Sequence, residues 1–249
     1  MASYDAIKDL SLEVSDCAFE GLELKMGEFE RLTTVVKLRG AGEEGIGEDV
    51  VYDAVDHIGQ QSHGPPDGLA HSGTFDEFSR KLDGIDLFPA GEPERAEVSR
   101  DYRRWAYESA ALDLALRQAG TNLSAALGRE PKPLNFVNSL RLAGFDPTEK
   151  STITPVEERL AAYPTLRFKL DPFNDWDDDL IAALVATGAV DSLDLKGFYK
   201  GTPVDVITDP ELYAKLIEAF PDAWLEDPDV TDETRPLLDP VQELSLIHI

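Results

Sequence analysis

Leu166-Arg-Phe-Lys169-Leu-Asp171-Pro172, Ser192-Leu-Asp194-Leu-Lys196-Gly197 and Ala223-Trp-Leu-Glu226-Asp227-Pro228 are short apolar runs, each cut off by charged residues. Between them lie two amphipathic segments, Asp177–Thr187 and Pro210–Phe220, with helical spacing. Strand, helix, strand, helix, strand at a repeat of about 30 residues is the βα unit of a parallel sheet. In such sheets the reactive groups sit where strands end, at the C-terminal face. Lys169, Asp171, Asp194 and Glu226 all occupy that position, and they are the candidate site residues.

Working backwards, Pro131-Lys-Pro133 reads as a rigid link. Beyond it, Leu134-Asn-Phe-Val-Asn-Ser-Leu140 reads as the first buried strand, and Thr154-Pro155-Val156-Glu157 as a capping box opening a helix to Ala162. The acids Asp175, Asp177, Asp178 and Asp179 precede a helix, whose dipole favours carboxylates there, so they read as caps and solvated charge. Asp209-Pro210-Glu211 opens the next helix in the same way, and Pro221 closes it.

Before the link the grammar is different. Phe19-Glu-Gly-Leu-Glu-Leu alternates, and Leu32-Thr-Thr-Val-Val-Lys-Leu is rich in β-branched residues, so residues 18–52 predict antiparallel strands. Gly40-Ala-Gly42-Glu43-Glu44-Gly45 matches a dinucleotide fingerprint by spacing. Two glutamates inside it would repel phosphate and no clear helix follows, so it reads as a hairpin turn. The segment from His57 to Gly73 holds His57, His63 and His71 among glycines and prolines. Their spacing fits neither a helical metal pair nor a zinc finger, so the expectation is an irregular surface loop, with a lid as the functional alternative. Thr74–Leu82 and Val98–Ala119 read as helices. The second places Tyr102, Trp105, Ala106, Ser109, Leu112, Leu116 and Ala119 on one face, which predicts that this stripe is core.

Composition narrows the function. The 249-residue chain is 42% hydrophobic, enough to fill a core. Its 49 acids against 23 bases give a formal charge of −26, which argues against nucleic acid or an anionic membrane as partner. Cys17 is the single cysteine, so no internal disulfide forms, which fits a reducing cytoplasm. The N-terminal residues do not form a signal peptide and the longest apolar stretch, Ile181–Val190, is too short to span a bilayer, so the expectation is a soluble cytoplasmic protein.

The order of parts resembles the enolase superfamily, in its mandelate racemase and muconate lactonizing enzyme branch. Thr33-Thr-Val-Val-Lys-Leu with Gly45-Ile-Gly47-Glu48 looks like the strand and hairpin of that branch's capping domain. Ala110-Ala-Leu112-Asp113-Leu-Ala115-Leu116 and Leu127-Gly128 look like its Ala-Leu-Asp-x-Ala-Leu helix and Leu-Gly ending. Lys169-Leu170-Asp171 falls at its lysine motif, Asp194 at its first metal-binding aspartate, and Glu226-Asp227-Pro228 at its metal-binding glutamate. The resemblance implies an α+β capping domain over residues 1–130. From 131 to 249 it implies the first half of a TIM-like (β/α)7β barrel, broken off near strand five. It implies Mg2+ held by Asp194 and Glu226, with Lys169 and Asp171 in the catalytic position.

The implied reaction is removal of a proton α to the carboxylate of a small substrate, by an isomerase or lyase of racemase, cycloisomerase or sugar-acid dehydratase type. A full-length form would be a homo-oligomer in some members. The second lysine of the motif is Asp171 here. The tail Leu244-Ser-Leu-Ile-His-Ile offers no third carboxylate, so the chain is expected to be inactive as it stands. Two other readings stay open: a Schiff-base aldolase-type barrel using Lys169, and a non-catalytic fragment or binding remnant. Each residue also has a plainer reading. Lys169 and Asp171 make an ordinary strand-end ion pair, and Asp194 and Glu226 are turn acids. Lys196 and Lys200, just past a strand end, either touch an acidic substrate or, as expected here, lie in solvent.

Overall fold

A computed structural model describes residues 3–26, 29–94, 96–143, 149–197, 200 and 205–244. The tail read as lacking a third acid lies, from residue 245 on, outside the described residues. The chain divides into two compact units, Met1–Lys132 and Pro133–Ile249.

The N-terminal unit opens with α1 (Ser3–Ile7) and β1 (Ser11–Val14). The long strands β2 (Asp16–Met26), β3 (Phe29–Gly40) and β4 (Glu43–Asp49) follow as an antiparallel meander. The Gly40 to Gly45 fingerprint is a hairpin: Gly40 pairs Glu43, and Ala41 and Gly42 turn the chain with positive φ. Next come α2 (Ala54–His63), β5 (His71–Thr74, paired antiparallel with β1), α3 (Phe75–Lys81), α4 (Ala96–Gln118) and α5 (Leu123–Leu127). The Thr74 side chain accepts from the Glu77 amide at 3.2 Å while Glu77 accepts from the Thr74 amide at 2.8 Å, so α3 starts on a true capping box.

Two expectations fail in this unit. The stretch from His57 is not a loop over its first half but the helix α2. Tertiary contacts override its poor propensity. The buried His57 ring bonds the Thr34 hydroxyl at 3.0 Å and the Val51 carbonyl at 2.8 Å, and Gln61 donates to Thr34 Oγ1 at 2.9 Å. The buried face of α4 is also rotated from the expected stripe. Arg103, Ala106, Tyr107, Ala110 and Leu114 are buried, whereas Trp105 is 53% exposed.

The reason is how closely α4 lies on β4. A methyl group built on Gly47 would stand 2.0 Å from the Ala106 carbonyl oxygen, and one on Gly45 would stand 2.3 Å from that of Ala110. Only glycine beneath and small residues above allow backbone to press on backbone. The Asp113 carboxylate then accepts the Ile46 amide at 3.0 Å, tying helix to strand. The core is built from Val36, Leu38, Phe78, Tyr107, Ala110 and Leu114.

The C-terminal unit alternates strand and helix: β6 (Asn138–Arg141), α6 (Thr154–Ala162), β7 (Phe168–Asp171), α7 (Asp178–Thr187), β8 (Val190–Asp194), α8 (Pro210–Ala219), β9 (Trp224–Glu226) and α9 (Arg235–Leu238). The four strands form one parallel sheet in chain order, β6-β7-β8-β9. Asp177 caps α7 by accepting the Leu180 amide at 2.9 Å, and Asp209 caps α8 through the Glu211 and Leu212 amides. Ile153, rather than Thr154, is the N-cap of α6, with no side-chain bond, so the expected box is absent there. The first strand is shorter than Leu134–Leu140. Leu134 and Phe136 are 77% and 82% exposed and lie outside β6, so their apolar character marks surface rather than core. Phe168, Leu170, Leu184, Leu193 and Leu216 fill the helix-facing layer. No helix among the described residues is long and apolar enough to cross a membrane.

Candidate active site

Alternation along β7 sends Phe168 and Leu170 into the core and leaves Lys169 and Asp171 on the opposite face. Register does the rest. Lys169 lies beside Ser192, Arg141 beside Asp171, and Asp194 beside Glu226, so the charged ends of four adjacent strands gather at one edge. The Lys169 ammonium meets Glu226 Oε1 at 2.6 Å and Asp194 Oδ2 at 2.9 Å. The Lys196 ammonium contacts the same Asp194 Oδ2 and lies 3.6 Å from Asp171 Oδ2. Arg141 approaches Asp171 Oδ2 at 3.9 Å and stacks on Phe173. One carboxylate oxygen from each of Asp194, Glu226 and Asp227 lies within 4.8 Å of the other two.

All four sequence candidates, Lys169, Asp171, Asp194 and Glu226, thus belong to one cluster. Three members were not singled out for it: Lys196, Asp227 and Arg141. Lys196, expected in solvent, is only 13% exposed at its side chain. Lys196 lies past the end of β8 with φ 56°, so strand alternation carries no signal for it. Asp227 likewise enters the cluster through a left-handed turn, with φ 46°. Lys200 lies apart, 46% exposed and bonded to Thr208 Oγ1 at 2.8 Å and Asp229 at 3.3 Å. The three histidines do not converge: His57 is used inside the fold and His71 bonds the Thr74 carbonyl.

The turn after β8 is fixed by backbone. Lys196 itself has φ 56°, and Leu195 and Gly197 donate to the Glu226 and Asp227 carbonyls at 2.9 and 2.6 Å. A methyl group on Gly197 would sit 2.5 Å from the Asp229 amide nitrogen, so the two strand-end turns lie backbone on backbone. Electrostatics follow from this crowding. Burial pulls the Lys169 pKa down, but its bonds to Glu226 and Asp194 outweigh that and hold it above the ordinary value. Burial raises Asp171, partly opposed by Lys196 and reinforced by the Asp194 charge. Asp227 is raised by burial and by the charges of Asp194 and Glu226. The donor set, three converging carboxylates, is the hard oxygen ligation that Mg2+ prefers, so these residues fit the ion the resemblance implies.

Residues 5–126 match the family described as domain of unknown function (DUF8230) N-terminal domain, and residues 130–245 match its C-terminal domain. No curated protein matches. Among solved structures, a muconate cycloisomerase from Azorhizobium caulinodans is similar over 94% of this chain and 62% of its own, at 15% identity and TM-score 0.56. The 2-chloromuconate cycloisomerase from Rhodococcus opacus 1CP is similar over 92% and 63%, at 17% identity and TM-score 0.56. A probable mandelate racemase from Alicyclobacillus acidocaldarius is similar over 95% and 63%, at 19% identity and TM-score 0.54. The chain therefore spans about three-fifths of the length of the solved structures it matches. It belongs to the DUF8230 family, both of whose domains it carries, and its fold, an α+β domain followed by part of an α/β barrel, is similar to that of these cycloisomerase and racemase structures.

Proposed function

We propose that the C-terminal unit carries the metal-binding and proton-transfer edge of an isomerase or lyase acting α to a carboxylate. The observation that supports this most is the convergence of Asp194, Glu226 and Lys169 at the C-terminal ends of neighbouring parallel strands. Asp194 and Glu226 hold Mg2+, with Asp227 within reach as a third oxygen donor. When bound, the ion supplies stabilisation for the negative charge that develops on the substrate carboxylate as its α-proton leaves. Asp171 is the proton acceptor. Its raised pKa brings a carboxylate closer to the range in which a general base works. Lys169, held charged by its two partners, orients those carboxylates and meets the substrate's negative end.

The same geometry gives the Schiff-base reading less support, because an amine nucleophile must be neutral and Lys169 is held protonated. The substrate is a small carboxylate. The net charge of −26 fits neither a polyanionic partner nor an anionic membrane, and a cytoplasmic setting suits the lone thiol.

Titration of the protein with Mn2+, read by calorimetry, tests the metal site. Asp194→Asn and Glu226→Gln should each weaken binding at least about tenfold, and unchanged binding in both would remove the site. For the reaction, α-proton exchange in D2O over a panel of hydroxy and unsaturated carboxylates, measured at saturating Mg2+, should be lost in Asp171→Asn with substrate affinity retained.

A further inference from the structure

The described carboxylate cluster is crowded by its own cations. Asp194 is 1% exposed, and a single oxygen of it, Oδ2, takes both the Lys169 and Lys196 ammoniums. The two lysines are held differently. Lys169 lies within β7, paired with Ser139 and Ser192 on the neighbouring strands, and bridges Asp194 to Glu226. Lys196 lies on a turn in the left-handed region, a conformation that strains a non-glycine residue. Its second carboxylate, Asp171 Oδ2, is already 3.6 Å away. The other oxygen of that group, Asp171 Oδ1, is buried without a hydrogen-bond partner. A buried carboxylate oxygen left unpaired costs free energy that an arriving ammonium relieves.

We infer that Lys196 is an internal counter-cation: it neutralises the Asp194, Glu226 and Asp227 cluster in the metal-free protein and shifts to Asp171 when a divalent cation takes its place. This rests on the metal reading above and adds to it that metal affinity is set by competition with one identified side chain. Among the described residues, four carboxylates, those of Asp171, Asp194, Glu226 and Asp227, face the cations of Lys169, Lys196 and Arg141. Removing Lys196 therefore leaves the carboxylates under-neutralised in chelator and the cation more strongly bound.

The test is Mn2+ titration of the full chain by calorimetry, with melting followed in chelator and in excess Mn2+. Lys196→Asn removes the charge and places at the turn a residue that tolerates positive φ. Its Mn2+ affinity should rise about tenfold or more, its melting temperature in chelator should fall, and Mn2+ should restore it. Lys196→Gln, which keeps a longer stem, should show the same contrast and covers failure of the first variant to fold. Lys196→Arg should stay close to the parent. Asp171→Asn, which removes the alternative partner, should weaken Mn2+ binding severalfold. Lys215→Asn, which deletes an exposed lysine paired with Asp178, controls for net charge and should not gain affinity. Tight binding by the parent with no gain in Lys196→Asn or Lys196→Gln overturns this inference and leaves the metal site standing. An equal gain in Lys215→Asn overturns it as well. No Mn2+ binding by parent or variants, all melting cooperatively, overturns both.

Discussion

Each unit buries a charged pair, and the two pairs are built on opposite plans. In the N-terminal unit Arg103 and Asp49 are 1% and 0% exposed at their side chains and meet at 2.7 Å. The guanidinium also donates to the Leu87 and Asp56 carbonyls and stacks on Phe88, and the second Asp49 oxygen accepts the Val51 amide. Both charged groups have their partners, and the geometry is closed. In the C-terminal unit Asp194 serves two ammoniums, Asp171 keeps one oxygen unpaired, and two turn residues, Lys196 and Asp227, hold positive φ. A buried charge that is satisfied serves the fold. One that is crowded or unsatisfied is stable only because the surrounding strands and turns fix it, which is the condition expected of a site awaiting a ligand.

The comparison breaks most visibly at Arg103. Arg103→Leu leaves Asp49 buried and alone, and should cost about 3–5 kcal/mol in urea unfolding of the N-terminal unit, with or without Mg2+. A loss below about 1 kcal/mol would mean the closed pair is not structural. Gly47→Ala drives a methyl group into the Ala106 carbonyl and should cost about 1–3 kcal/mol in the same assay. At the crowded site, Asp194→Asn should cost only about 1 kcal/mol, because Lys169 keeps Glu226 and Lys196 keeps Asp171. A cost matching that of Arg103→Leu would erase the distinction between the two plans.

Smallest in its effect on stability at neutral pH is Cys17. Burial, then the Asp16 charge, pushes its thiol up to about 12, against partial relief from Arg39. The unfolded thiol ionises first, so as pH rises from about 9 towards 12 the folded state alone keeps its proton and stability falls. At pH 8 native Cys17 should react with iodoacetamide at least about tenfold more slowly than in urea. Equal rates would show that this thiol is not shielded.

Much of this fold was legible in the chain. Strand ends marked by Lys169-Leu-Asp171, Asp194 and Glu226 could be read because apolar runs that stop at charge leave few alternatives, and parallel register then aligns them. The turn at Gly40–Gly45 could be read because two glutamates exclude phosphate. What stayed hidden depends on contacts distant in sequence. Helix α2 looks like a loop until His57 finds Thr34 and Val51. The buried stripe of α4 departs from the hydrophobic pattern because an arginine, Arg103, occupies a position that hydrophobicity assigns to solvent, while Trp105 looks outward. Leu134 and Phe136 read as core by composition, yet they precede the strand and stay exposed. Lys196 and Asp227 join the cluster through positive-φ turns, which no periodicity reveals.

The close seating of α4 on β4 has a consequence for how this sequence can drift. Where a methyl group would land 2.0 to 2.3 Å from a carbonyl oxygen, the alphabet of acceptable letters shrinks to one. Gly45 and Gly47 are such positions, and Ala106 and Ala110 above them tolerate little more. Across proteins that share this fold at 14–19% identity, most of the lettering has been overwritten. A stacked pair of backbones leaves no room for that kind of revision, so these four small residues should be among the last to change as the lineage diverges.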